Sequence, residues 1–140
     1  MVVLVTGSSK GIGYQIASDL LDQGHDLVLH CNRNKSSVED LLSAYKSNSV
    51  IIQADLSSYN DIKKLVDETT NKLSFPDCVI NNAGIAESAD ISLDIEEWDK
   101  MFDKTISVNL KAPGLIFKEF IKYKRKNKIN NSCDMQIIWP

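Results

Sequence analysis

Val2-Val3-Leu4-Val5-Thr6-Gly7-Ser8-Ser9-Lys10-Gly11-Ile12-Gly13 decides the fold of this chain. A short apolar run ends in a glycine-rich turn, and a helical pattern starts directly behind it. The glycines divide the work. One permits the tight turn, one lets backbone N–H groups approach an anion, and one lets helix and strand pack closely. The helix start adds unpaired N–H donors and the positive end of a dipole, which suits the pyrophosphate of a dinucleotide. Such a pattern also occurs in ordinary tight turns, so its weight comes from the motifs downstream of it.

Outward from this turn, apolar runs alternate with helical patterns. The spacing predicts a strand over 2–6, a helix over 12–23, a strand over 26–31, a helix over 36–46 and a strand over 49–53. Ile12, Ile16, Ala17, Leu20 and Leu21 recur at helical spacing as a buried stripe, closed by Gly24. A further helix with Ile62, Leu65, Val66 and Leu73 on one face leads through Phe75-Pro76-Asp77 into the apolar strand Cys78-Val79-Ile80. That strand runs into Asn81-Asn82-Ala83-Gly84. Ala86 to Asp94 reads as a loop with one short turn, and a helix is expected over 96–110. Pro113 marks a bend or restart, and a last helix covers 114–125. Strands alternating with helices imply an α/β fold built on a parallel sheet.

At 140 residues, 43% hydrophobic and 25% charged, the chain has the size of one domain. Its net charge of −3 gives no basic field for nucleic acid. The run Lys122, Lys124, Arg125, Lys126 and Lys128 reads as a solvated helix end. Cys31, Cys78 and Cys133 are odd in number and lack metal-ligand spacing, which fits a reducing, cytoplasmic setting. No metal is implied. His25 and His30, on either side of a strand, read as ordinary, partly exposed histidines. No signal peptide and no membrane-spanning run are expected.

Thr6-Gly7-Ser8-Ser9-Lys10-Gly11-Ile12-Gly13, Asp55-Leu56, Asn81-Asn82-Ala83-Gly84 and Asn109 together resemble, in order and spacing, the classical short-chain dehydrogenase/reductases over about residues 1–120. The resemblance implies a Rossmann-type, doubly wound parallel sheet. It implies that Gly7, Ser9, Lys10, Gly11, Ile12 and Gly13 surround the pyrophosphate. Asp55 would accept a hydrogen bond from the adenine amino group, with the backbone of Leu56 beside it. Asn82, Ala83 and Gly84 would touch the cofactor. The second strand ends in His30-Cys31-Asn32-Arg33-Asn34, without the acid that would bond a ribose 2′-hydroxyl. Arg33, with Lys10 as a second cation, suits a 2′-phosphate, so NADP(H) is the expected cofactor ahead of NAD(H). Asn109 matches the asparagine that helps hold a proton-relay lysine. In that family a tyrosine, acidified by a lysine four residues later, moves the hydroxyl proton while a serine orients the carbonyl.

The sequence departs from the pattern after Asn109. Tyr59 and Lys63 have the right spacing but lie at the start of the crossover helix before the fourth strand. Tyr14, Tyr45 and Tyr123 have Ser18, Ser49 and Asn127 four residues on. The catalytic pair is therefore absent from these 140 residues. The stretch 127–140 reads as an off-pattern tail in which either Lys128 to Ser132 or Met135 to Trp139 supplies the next strand, Ser132 being a candidate for the family serine. The expectation is a single truncated NAD(P)-binding domain over 1–140, its sheet incomplete, with Trp98, Met101, Phe102, Leu115, Phe117 and Phe120 exposed or self-associating. Three functions stay open. The first is an NADP(H)-dependent oxidoreductase acting on a small carbonyl or alcohol, such as a 3-oxoacyl thioester. The second is a non-catalytic module that binds the dinucleotide or pairs with a second copy or a full-length relative. The third is a gene remnant.

Overall fold

The apolar runs 2–5 and 27–29 follow from strands that are covered on both faces. The computed structural model describes residues 1–86, 90–129 and 135–138. Among these, β1 (Val2–Val5), β2 (Asp26–Cys31), β3 (Val50–Gln53), β4 (Cys78–Ile80) and β5 (Gln136–Ile138) form one parallel sheet in the order β3-β2-β1-β4-β5. Side chains alternate across it. Leu4, Val28, Ile52 and Val79 point to one face, where they pack with Ile62, Leu65 and Val66 of α3 (Tyr59–Lys72) and with Ala112, Ile116 and Phe120 of α5 (Ala112–Lys126). Val3, Val5, Leu27, Leu29 and Cys31 point to the other, against Ala17 and Leu21 of α1 (Gly11–Asp22) and Val38 and Leu41 of α2 (Ser36–Ser43). Helices on both faces make the fold doubly wound.

Local chemistry sets the helix ends. Gly24, at φ +77°, reverses the chain after α1: its N–H bonds the Leu21 carbonyl, and the His25 N–H bonds that of Leu20. This pair of bonds is the αL termination that glycine permits. Ser58 caps α3 through Asp61 N–H at 3.4 Å, and Asp94 caps α4 (Ile95–Ile106) through Glu97 N–H at 2.8 Å. Beyond α4 a π turn spans Ser107–Lys111 and hands over to α5, with Pro113 at its second position. The wider turn accommodates a ring that would collide with the carbonyl four residues back in a regular helix. The expected restart at Pro113 takes this form.

Three expectations need correction or qualification. Ile12 is 75% exposed and not part of a buried stripe. In the first turn of α1 it is Gly13, not Ile12, that turns inward against Asn82 and Gly7. Phe120 is fully buried, because Ala112, Ile116 and Phe120 recur four apart on the inner side of α5. Its ring meets Phe75 edge to face at 5.7 Å. Leu115 also departs from the expectation by packing against the same core, and Met101 is half-buried. Trp98 and Phe102 are exposed as expected and stack at 5.3 Å on the outer side of α4, which buries none of its residues, and Phe117 is exposed. Of the two readings of the tail, β5 selects the later one. Ser132 lies outside the described residues.

Candidate functional site

Parallel strands release their C-terminal ends along one sheet edge, so the motifs after β1, β2, β3 and β4 gather there. The turn after β1 is shaped by two positive-φ glycines, Gly7 (+71°) and Gly11 (+59°). Gly13 is a matter of space: a Cβ there would run into Asn82 Nδ2 and the Gly7 carbonyl. No side chain caps α1 and its first turn carries no acid. Its N-terminal amides, which lack intrahelical acceptors, are therefore available to an anion.

Asn82 holds this turn from the other half of the sheet. Its Nδ2 donates to the carbonyls of Thr6 at 2.9 Å and Gly7 at 3.2 Å. Thr6 Oγ1 accepts from Ala83 N–H at 3.0 Å and donates to the Ile80 carbonyl at 3.3 Å. Ser8 Oγ donates to the Val5 carbonyl at 2.7 Å. Beside Asn82, the buried Asn81 Oδ1 has no hydrogen-bond partner among the described residues, an arrangement that favours a polar guest or solvent.

The other sequence-derived residues take these places. Ser9 is half-buried, its carbonyl accepting from Ser37 Oγ at 2.8 Å, while Lys10 and Arg33 are exposed at the mouth. Asp55 Oδ1 accepts from Ser57 N–H at 2.9 Å and Ser57 Oγ at 2.7 Å, and Leu56 is buried beneath it. Those two bonds, with Lys104 and Arg33 adding their charge, hold the Asp55 carboxyl below its ordinary range. Asn109, in the π turn, closes a two-bond ring with Ile85: Oδ1 accepts from its N–H at 2.9 Å and Nδ2 donates to its carbonyl at 2.8 Å. Asn109 thus fixes the chain just past Gly84. Tyr59 belongs elsewhere, its hydroxyl donating to Glu119 at 3.0 Å. That bond raises its pKa, the reverse of what proton transfer near neutrality requires.

His30 is not the partly exposed histidine that its sequence position suggests. It is 2% exposed, with Nδ1 accepting from Gly7 N–H at 3.1 Å and Nε2 facing the Ala54 carbonyl at 3.0 Å. Its one visible signal in the sequence is a polar residue inside an otherwise apolar strand. Burial lowers its pKa, against opposing effects from the Ala54 carbonyl and the Asp55 charge. The folded form therefore binds fewer protons than the unfolded chain below the ordinary histidine value. Stability is full above about pH 6.5 and falls as pH drops below it, with a slope approaching about 1.4 kcal/mol per pH unit. Urea unfolding at pH 5.5, 6.0 and 7.0 should show this slope for the native sequence and a flatter one for His30→Asn. Among the described residues no three His, Cys, Asp or Glu side chains gather as a metal site, and no helix is long and apolar enough to cross a membrane.

A doubly wound parallel sheet carrying a glycine turn and an uncapped helix at its central strand defines a dinucleotide-binding type of α/β protein. The short chain dehydrogenase family profile matches residues 1–130, and the chain belongs to that family. It is 31% identical over 127 residues to dehydrogenase/reductase SDR family member 4 of Caenorhabditis elegans, covering 86% of this chain and 48% of that protein. It is 28% identical to an NADPH-dependent pterin aldehyde reductase of Arabidopsis thaliana, covering 98% of this chain and 56% of that one. The crystal structure of FolM alternative dihydrofolate reductase 1 from Brucella suis, in complex with NADP, superposes with a TM-score of 0.78 at 26% identity, over 97% of this chain and 54% of that one. The chain spans about half the length of the relatives it matches, and its sheet is incomplete beside theirs.

Proposed function

We propose that this chain is the NADP(H)-binding half of a short-chain oxidoreductase that exchanges hydride with a small carbonyl or alcohol, a 3-oxoacyl thioester being the model substrate class. The observation that carries the reading is the convergence on one sheet edge of the uncapped α1 N-terminus, the Asn82 lock and the cations Lys10 and Arg33. An NADPH-dependent relative and an NADP-bound structural neighbour support the same cofactor. When bound, the nicotinamide would supply hydride. The chain's own residues would hold the pyrophosphate at residues 7–13, receive the adenine amino group at Asp55, and meet the 2′-phosphate with Arg33 and Lys10. Ala83 and Gly84 would line the ribose. Asn109 would keep that lining in place through Ile85. Proton transfer needs a tyrosine–lysine pair at the family spacing, which these 140 residues do not contain after Asn109.

Titration with NADPH and NADH, read by nicotinamide fluorescence and thermal melting, tests the reading. Arg33→Ala should weaken NADPH binding about tenfold, the scale of one lost charge-assisted hydrogen bond, and leave NADH unchanged. Equal losses for both cofactors would remove Arg33 from the 2′-phosphate role.

A second reading, a non-catalytic module that pairs with a second copy or a longer relative, rests on α4. Its outer side presents Trp98, Phe102 and Ile106 to solvent, an apolar group on one helix of the kind that serves as an interaction site. A monomer by sedimentation at high concentration would count against self-pairing.

A further inference from the structure

His30 stands between two parts of the site that share no other side-chain link among the described residues. On one side is Gly7, the pivot of the glycine turn; on the other is Ala54, the residue before Asp55. The proton positions derive from the partners. A backbone N–H can only donate, so Nδ1 accepts; a carbonyl can only accept, so Nε2 carries the proton. The ring is therefore neutral and fixed in one tautomer. The backbone of His30 reinforces the hold, its carbonyl accepting from Ser8 N–H at 2.8 Å. Cys31, next along the strand, faces the opposite side of the sheet with the α1–α2 cluster, while His30 shares the face of Val28 and Ile52.

We propose that His30 is a positioning residue of the dinucleotide pocket, a neutral imidazole that clamps the Gly7 amide and the Ala54 carbonyl and so sets the glycine turn relative to Asp55. The consequence for a ligand rests on the proposed NADP(H)-binding function, but the clamp itself does not. Without the ring acceptor, the partly buried Gly7 N–H must turn away or stay unpaired. Turning away moves the peptide whose Thr6 carbonyl Asn82 also holds, and staying unpaired weakens the hold on it. The turn then reaches its ligand-ready shape only part of the time, and affinity falls by that fraction.

Two variants and two measurements test this. His30→Leu removes both bonds at similar volume, and His30→Asn keeps an acceptor near the Nδ1 position. Amide hydrogen exchange needs no ligand: Gly7 should be protected in the native sequence and in His30→Asn, and should exchange at least about tenfold faster in His30→Leu, the scale of one lost hydrogen bond. NADPH titration should show the same ranking, with His30→Leu about tenfold weaker and His30→Asn within about threefold of the native chain. Unchanged Gly7 protection in His30→Leu overturns the clamp, as does lost protection in a cooperatively melting His30→Asn. If His30→Leu does not fold, His30→Asn alone decides. Normal Gly7 protection with no NADPH binding to the native chain would sink the proposed function while leaving the clamp standing.

Discussion

Gly13→Ala loses NADPH binding and melts at a markedly lower temperature. The added Cβ meets the Asn82 amide and the Gly7 carbonyl at separations that real side chains do not adopt. Asn82 cannot swing aside freely, because the same amide nitrogen bonds the Thr6 and Gly7 carbonyls. Relief has to come from the backbone of the glycine turn or from α1 lifting off the sheet. Overpacking of this kind costs about 3 kcal/mol, or roughly a 10 °C fall in Tm for a domain of this size. If the strain falls on the turn, the same energy amounts to about a hundredfold in affinity. Gly114→Ala is the internal control: a Cβ there meets nothing, and its φ is not positive. It should be neutral or gain up to about 1 kcal/mol from helix propensity. NADPH titration and thermal scans of the two variants decide. A Gly13→Ala protein that binds like the native one would mean that the turn and the β4 end are not in close contact.

The second large effect concerns the fold itself. Phe120→Ala should cost about 3–5 kcal/mol, the range for emptying a fully buried aromatic site, measured as the shift of the urea midpoint at constant m-value. Phe120 is enclosed by α3, α5 and Phe75, and its removal leaves the sheet face under Leu4 and Val79 uncovered. Phe117→Ala, three residues earlier but exposed, should stay within about 0.5 kcal/mol of the native chain. Two phenylalanines on one helix thus test which side of α5 is the inner one. Equal losses, or a larger one at Phe117, would place the wrong side against the sheet.

What is legible in the sequence divides by physical cause. Strand positions are legible because β1, β2 and β4 are covered on both faces and so consist of little but apolar residues. The glycine turn is legible because two left-handed φ values and one close approach leave no alternative residue. The same reading fails at Ile12, since periodicity marks a helix stripe and passes over a glycine such as Gly13, the residue of that turn that faces inward. It fails at Phe120, since apolar residues surround much of α5 and nothing local says which of them meets α3. His30 escapes for a different reason. A histidine on a strand carries no spacing signature, and its importance lies in partners 23 and 24 residues away. The role of Asn109 in bonding Ile85 is equally hidden, because the π turn that aims it has no sequence pattern of its own.

Asn82 bonds Thr6 and Gly7 across 76 and 75 positions, and Ala83 reaches Thr6 across 77. The glycine turn, made long before its partners in β4, is therefore among the last motifs to acquire its shape. Until β4 has been synthesised and has docked beside β1, the glycine turn lacks the bonds that fix two of its carbonyls. Closing so long a loop costs entropy before any contact rewards it, and contacts this distant in sequence slow folding. A nucleotide added during refolding would find its pocket only after this closure, so the appearance of binding would time the meeting of the two ends of the fold.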